Sequence, residues 1–130
     1  MRLQEQFAGR VFLGGQSYGG RQASVLAASE PSLASGLLLL SYPLHPPGRA
    51  VDWRTAHFPS LHTPALFVSG AKDAFGSIGE LKTAIRLIPA KTELIPVPGA
   101  GHSLMTKANR KESPGAIVRA FNGFSIDLCA

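Results

Sequence analysis

Ser17, Asp73 and His102 are the side chains of this sequence whose types and order could do chemistry together. A serine hydroxyl is a weak nucleophile at neutral pH and needs a base to take its proton. An imidazole base in turn needs a carboxylate to hold its tautomer and stabilise its cation. Ser17 lies in Gly15-Gln16-Ser17-Tyr18-Gly19, a Gly-x-Ser-x-Gly pentapeptide between an apolar run and an alanine-rich stretch. At a sharp strand-to-helix turn this pattern lifts a serine hydroxyl above the end of a parallel sheet. Small residues are then expected two positions before and two after the serine, where strand and helix nearly touch, and glycine occupies both. Taken singly, each residue has a plainer reading. The pentapeptide is a weak pattern in a chain with 14 glycines, Asp73 could be a turn residue and His102 a surface-loop histidine. Together, after the first, third and fourth strands and in the order Ser, Asp, His, they make coincidence the poorer account.

The elements that must position these residues follow from apolar periodicity. A first strand is predicted over residues 10–13, breaking at the glycine pair, and a helix over 18–29, ended by Pro31. A second strand is predicted over residues 37–42, and its unbroken leucine run 37–40 predicts cover on both faces, as in a parallel sheet flanked by helices. Pro43-Leu44-His45-Pro46-Pro47-Gly48 can continue neither strand nor helix and reads as a rigid loop. A third strand is predicted over 65–69. Ser77-Ile78-Gly79-Glu80 has the form of a capping box, followed by a helix with Ile78, Leu81, Ile85 and Ile88 on one face, closed by Pro89. A fourth strand over 92–97 reads as a sheet edge because of Pro96, and Pro98-Gly99-Ala100-Gly101 then delivers His102. A last helix opens at Ser113-Pro114 and packs through Ile117, Val118, Phe121 and Phe124. The expected fold is α/β, a mostly parallel sheet of about four strands with flanking helices. In such sheets the loops after the strands open on one rim, where distant residues converge.

On these residues the chain resembles the C-terminal half of an α/β-hydrolase. Residues 11–20, 41–48, 66–76 and 98–104 are similar to the dienelactone-hydrolase-like branch that includes the Tex30 and NSL-complex subunit 3 group, over roughly residues 8–122. The resemblance implies a truncated α/β-hydrolase fold, Ser17 as nucleophile, Asp73 as acid, His102 as base and the Tyr18 backbone N–H as an oxyanion donor. It implies cleavage of an ester or related acyl bond of a small molecule through an acyl-serine intermediate, without a cofactor. It also implies a departure, because the chain begins at the nucleophile strand. The strands before it and the loop that supplies a second oxyanion donor have no counterpart, so activity is expected to be weak or absent. The uncovered edge of the first strand is expected to pair with a second copy of the chain. A non-catalytic interaction module on the same scaffold is the competing reading.

Composition narrows the field further. At 130 residues the chain is a single domain, and no apolar run approaches the length that crosses a bilayer. The N-terminus lacks the layout of a secretory signal, which makes a cytoplasmic location the default expectation. Lys and Arg number 13 against 8 Asp and Glu. Apart from Lys107, Arg110 and Lys111 the cations are scattered, with no interleaved aromatics, which argues against a nucleic-acid platform. A single cysteine, Cys129, excludes an internal disulfide, and no His, Cys, Asp and Glu cluster has metal-ligand spacing. Gly14-Gly15 lacks the following residues of a phosphate loop. Gln16, beside the nucleophile, and His45 in the proline loop are candidates for lining a pocket. Trp53 and Phe58 could wall an acyl site or pack in the core, and His57 and His62 are expected at the surface.

Overall fold

A strand that is apolar at every position must be covered on both faces, and Leu37, Leu38, Leu39 and Leu40 set the architecture around that requirement. The computed structural model describes residues 11–106, 109 and 113–129. In chain order these form β1 (Phe12–Gln16), α1 (Tyr18–Ser29), β2 (Gly36–Leu40), a 3-10 turn (Phe58–Ser60), β3 (Ala65–Gly70), α2 (Ile78–Ile85), β4 (Thr92–Val97) and α3 (Ser113–Cys129). The four strands are all parallel and lie in the order β1-β2-β3-β4. Gln16 pairs with Leu40, Leu40 with Val68, and Gly70 with Val97, so the strands end together along one rim.

Alternate residues feed two cores. Leu37, Leu39, Ala65 and Phe67 point to one face, where Ala27 of α1, Tyr42, Phe58 and Leu61 of the long connection, and Leu81 and Ala84 of α2 cover them. Leu66 and Val68 point to the other and meet Phe124, with Ile117, Ala120 and Phe121 of α3 alongside. Full burial of one such side chain stabilises the fold by about 1.5–3 kcal/mol. A single strained residue costs roughly 1–3 kcal/mol. The sheet can therefore carry one strained backbone at its rim.

The elements depart from the sequence expectation in informative places. β1 does not break at the glycine pair but runs through it to Gln16, because Gly14, Gly15 and Gln16 pair in register with Leu38, Leu39 and Leu40. Arg10, expected to open this strand, lies outside the described residues, as do Lys107, Arg110 and Lys111. β2 stops at Leu40, before the expected end at Tyr42, because Ser41 turns to φ 53°. α2 ends at Ile85, ahead of Pro89, although Ile88 is still buried beyond it. Val118 is 58% exposed and leaves the packing face of α3, where Ala120 takes its place. Pro96 is exposed and lies on β4, which among the described residues has β3 as its strand neighbour on one side alone.

Strand and helix touch backbone to backbone at Gly15 and Gly20. A Cβ on Gly15 would fall 2.6 Å from Gly19 C and Gly20 N, and one on Gly20 would fall 2.7 Å from Gly15 O. Gly19, expected to be the second tight position, has open space around it. The clearance needed is three residues after the serine, where the first turn of α1 comes back over β1. Gly15→Ala should therefore destabilise the protein by about 1–3 kcal/mol through overpacking. Gly19→Ala, inside a helix, should instead stabilise it by about 0.5–1 kcal/mol. Urea midpoints of the two variants check this opposition of sign.

Candidate active site

Ser17 joins β1 to α1 with φ 55° and ψ −123°, a left-handed backbone that a residue with a Cβ rarely adopts. Its N–H donates to the Leu40 carbonyl at 2.8 Å, and its own carbonyl accepts from Arg21 N–H at 3.0 Å. The turn is thus tied to β2 on one side and to the helix on the other. The N–H groups of the first helical turn have no partner within the helix, so that of Tyr18 is available at the rim beside the serine hydroxyl.

Asp73 follows β3, and its carboxylate is oriented by the chain around it. Its Oδ1 accepts from Phe75 N–H at 2.8 Å, and the side chain is 1% exposed. His102 arrives on the loop after β4, which is knit to the end of β3 by backbone bonds. Ala71 N–H donates to Val97 and Lys72 N–H to Ala100, at 2.9 and 2.8 Å. A side chain at Gly70 would collide with the Ala100 and Gly101 oxygens. The imidazole joins the other two residues: Nδ1 lies 2.9 Å from Asp73 Oδ2, and Nε2 lies 2.7 Å from Ser17 Oγ. An ionised carboxylate can only accept, so Nδ1 carries the proton and Nε2 accepts from the serine hydroxyl. Such a chain can move a proton from hydroxyl to imidazole as the oxygen attacks an electrophile.

Two further residues hold the imidazole, and sequence reasoning missed both. Ser41, buried after β2, donates through Oγ to the His102 carbonyl at 2.6 Å. Phe75 lies against the imidazole, with ring centroids 4.2 Å apart and planes tilted by 31°. The only sequence signal for Ser41 was a polar residue ending an unbroken apolar run.

Above Ser17 is a hollow of about 300 Å³, walled by Tyr18, Arg21, His45, Arg54 and Phe75 with the proline loop. His45 therefore lines the site and is also buried. Gln16, exposed at the end of β1, is not among the lining residues. Phe58 is buried in the core with Trp53 packed against it, and neither is among the residues lining this hollow. His57 is half-buried rather than at the surface, with Nε2 2.8 Å from Ser24 Oγ, whereas His62 is exposed. Burial, and then the charge of Arg21, push the His57 pKa down. Burial also pushes the Tyr42 phenol up to about 12, so its O–H remains a donor, held at 2.8 Å by the Arg54 carbonyl. The sequence signal for Arg21 is its place in the first turn of the helix that the serine pentapeptide opens. A larger, apolar hollow of about 390 Å³ lies between β4 and α3, and no triad member lines it.

A family model described as the α/β hydrolase domain matches residues 1–122. Among solved structures, an α/β serine hydrolase homologue from Coxiella burnetii superposes with a TM-score of 0.68 at 19% identity, covering 91% of this chain and 52% of that one. An esterase from Thermogutta terrifontis gives 0.70 at 18%, covering 96% and 68%. The dienelactone hydrolase of Anabaena variabilis gives 0.61 at 22%, covering 85% and 44%. The likeness is one of fold, and the chain spans about half the length of the first and last of these.

His45 and Glu80 couple the wall of the hollow to α2. Glu80 Oε1 accepts from Ser77 N–H at 2.9 Å, completing the capping box, and lies 3.0 Å from His45 Nε2. The Glu80 contact, then that of the Pro46 carbonyl, raises the His45 pKa above 6.5. The Ser77 backbone, then His45, lowers that of Glu80 below 4.5. The raised histidine contributes stability that is full below its unfolded pKa and is lost as pH rises through its folded one. The lowered glutamate contributes stability present above its unfolded pKa and lost as pH falls through its folded one. Both are therefore fully present between about pH 4.5 and 6.5. Glu80→Gln keeps a capping side chain but removes the charge, so its deficit in urea stability should be greatest in that window and shrink as the solution is made alkaline.

Proposed function

The chain belongs to the α/β-hydrolase domain family, and from that premise we propose that it is a serine hydrolase cleaving an ester or related acyl bond of a small molecule. The observation that carries this reading is the line of contacts from Ser17 Oγ to His102 Nε2 at 2.7 Å and from Nδ1 to Asp73 Oδ2 at 2.9 Å. Ser17 Oγ attacks the acyl carbon while its proton passes to Nε2. The carbonyl π electrons move onto oxygen, and this oxyanion accepts from Tyr18 N–H. Collapse expels the alcohol, which leaves with the proton from Nε2, and Ser17 remains acylated. Water then gives its proton to Nε2 and its oxygen to the acyl carbon, which releases the acid and restores the serine. Asp73 stabilises the imidazolium in both halves without taking its proton.

Tyr18 N–H is one donor, and fold relatives of this kind use two. Turnover of 4-nitrophenyl acetate is expected from the wild type and should be lost in Ser17→Ala. Labelling by a fluorophosphonate probe should occur in the wild type and disappear in Ser17→Ala and His102→Ala. Absence of labelling in the folded wild type would leave the scaffold as an interaction module.

We also propose self-association through β1, which among the described residues has β2 as its strand neighbour on one side alone. An open strand edge is a template for a second chain. Multi-angle light scattering should give a dimer or larger mass at micromolar concentration, and a monomer would refute the pairing.

A further inference from the structure

The hollow above Ser17 is cationic in a way the triad does not require. Arg21 lies in the first turn of α1, its N–H bonded to the Ser17 carbonyl, and it lines the hollow above the nucleophile. Its Nε is buried without a hydrogen-bond partner, and among the described residues no carboxylate pairs with its guanidinium. Arg54 projects into the same hollow from a pinned backbone, its N–H donating to Leu44 O at 2.7 Å and its carbonyl accepting from Tyr42 O–H at 2.8 Å. Its guanidinium meets Asp52 only at 3.7 Å, with both side chains well exposed. Such a contact is weak and readily exchanged for a better acceptor. His45 is already committed to Glu80 and to the Pro46 carbonyl. No Asp or Glu is among the residues that line the hollow.

Two guanidinium groups facing a hollow without a carboxylate leave a site one anion short. We propose that the substrate is an ester bearing a carboxylate, which Arg21 and Arg54 hold while its acyl carbon lies at Ser17 Oγ. This rests on the hydrolase reading above. A guanidinium presents paired N–H donors in a plane that matches both oxygens of a carboxylate. Binding energy realised there is spent on orienting the ester toward the nucleophile.

The test compares esters that carry a carboxylate with neutral counterparts of similar shape. Mono-4-nitrophenyl glutarate against 4-nitrophenyl butyrate puts the carboxylate on the acyl side, and 4-acetoxybenzoate against its methyl ester puts it on the alcohol side. One charge-assisted contact is worth about tenfold or more. In the wild type kcat/KM should favour the charged member of at least one pair by that factor, and the favoured pair identifies the side. The charged-to-neutral ratio should fall toward one in Arg21→Gln, recover in part in Arg21→Lys, and fall less far in Arg54→Gln. Glutarate binding by titration calorimetry supplies a readout independent of turnover. Glutarate bound by the wild type and lost in Arg21→Gln upholds the anion site even if fluorophosphonate fails to label Ser17, in which case the hydrolase reading alone has failed. Probe labelling with ratios near one in both pairs and no glutarate binding overturns the anion site and leaves the hydrolase standing.

Discussion

The backbone contact between Gly15 and Gly20 is the constraint on which the site depends. It lets α1 begin directly over β1, and a helix that begins there forces the residue between them into a left-handed turn. Ser17 is that residue. Its conformation would relax in an isolated peptide, but three attachments hold it: the register of β1 against β2, the bond from its N–H to Leu40, and the first helical bond to its carbonyl. The aim of the hydroxyl is thus a property of the main chain, set before any partner side chain arrives.

Each strand end supplies one part of what meets that hydroxyl. Ser41 after β2 holds the His102 carbonyl, Asp73 after β3 holds the imidazole, and His102 comes from the loop after β4. This works because the sheet is parallel and its strands follow one another in space as they do in sequence, so every loop after a strand opens on the same rim. The proline loop and α2 form a second assembly beside the first. Glu80 serves as helix cap and as partner of His45, while His45 N–H donates to the Phe75 carbonyl at 3.0 Å. The wall of the hollow and the ring that lies against His102 are therefore joined through two residues.

How much of this could be read in advance depended on whether the cause was local. The leucine run, the Ser77 and Glu80 box, Pro31 and Pro96 act within a few residues, and strands and helices appear where they indicate. Ser17, Asp73 and His102 were legible because their types are rare enough together, and their order specific enough, to survive ignorance of distance. The glycine pair was misread as a break because a glycine in a strand is recognised only by its neighbour, here Leu38 and Leu39 across the ladder. The tight position at Gly20 rather than Gly19 depends on the angle at which α1 crosses β1, which the pentapeptide does not encode. Ser41, Phe75 and Arg54 act through partners 61, 27 and 10 or more residues away, and no spacing rule reaches them. The first two of these partners are the carbonyl and ring of His102.

The way His102 is carried has a bearing on how this chain can diverge. Its loop is fastened to the end of β3 through main-chain atoms, and Gly70 is the point at which the two backbones pass closest. Side chains along that loop therefore contribute little to where the imidazole stands. Drift can rewrite the outward residues 98 and 103 and give the rim a new chemical texture, whereas Gly99 is held to glycine by its φ of 72° and a lone methyl at position 70 would lift the whole segment away from the serine.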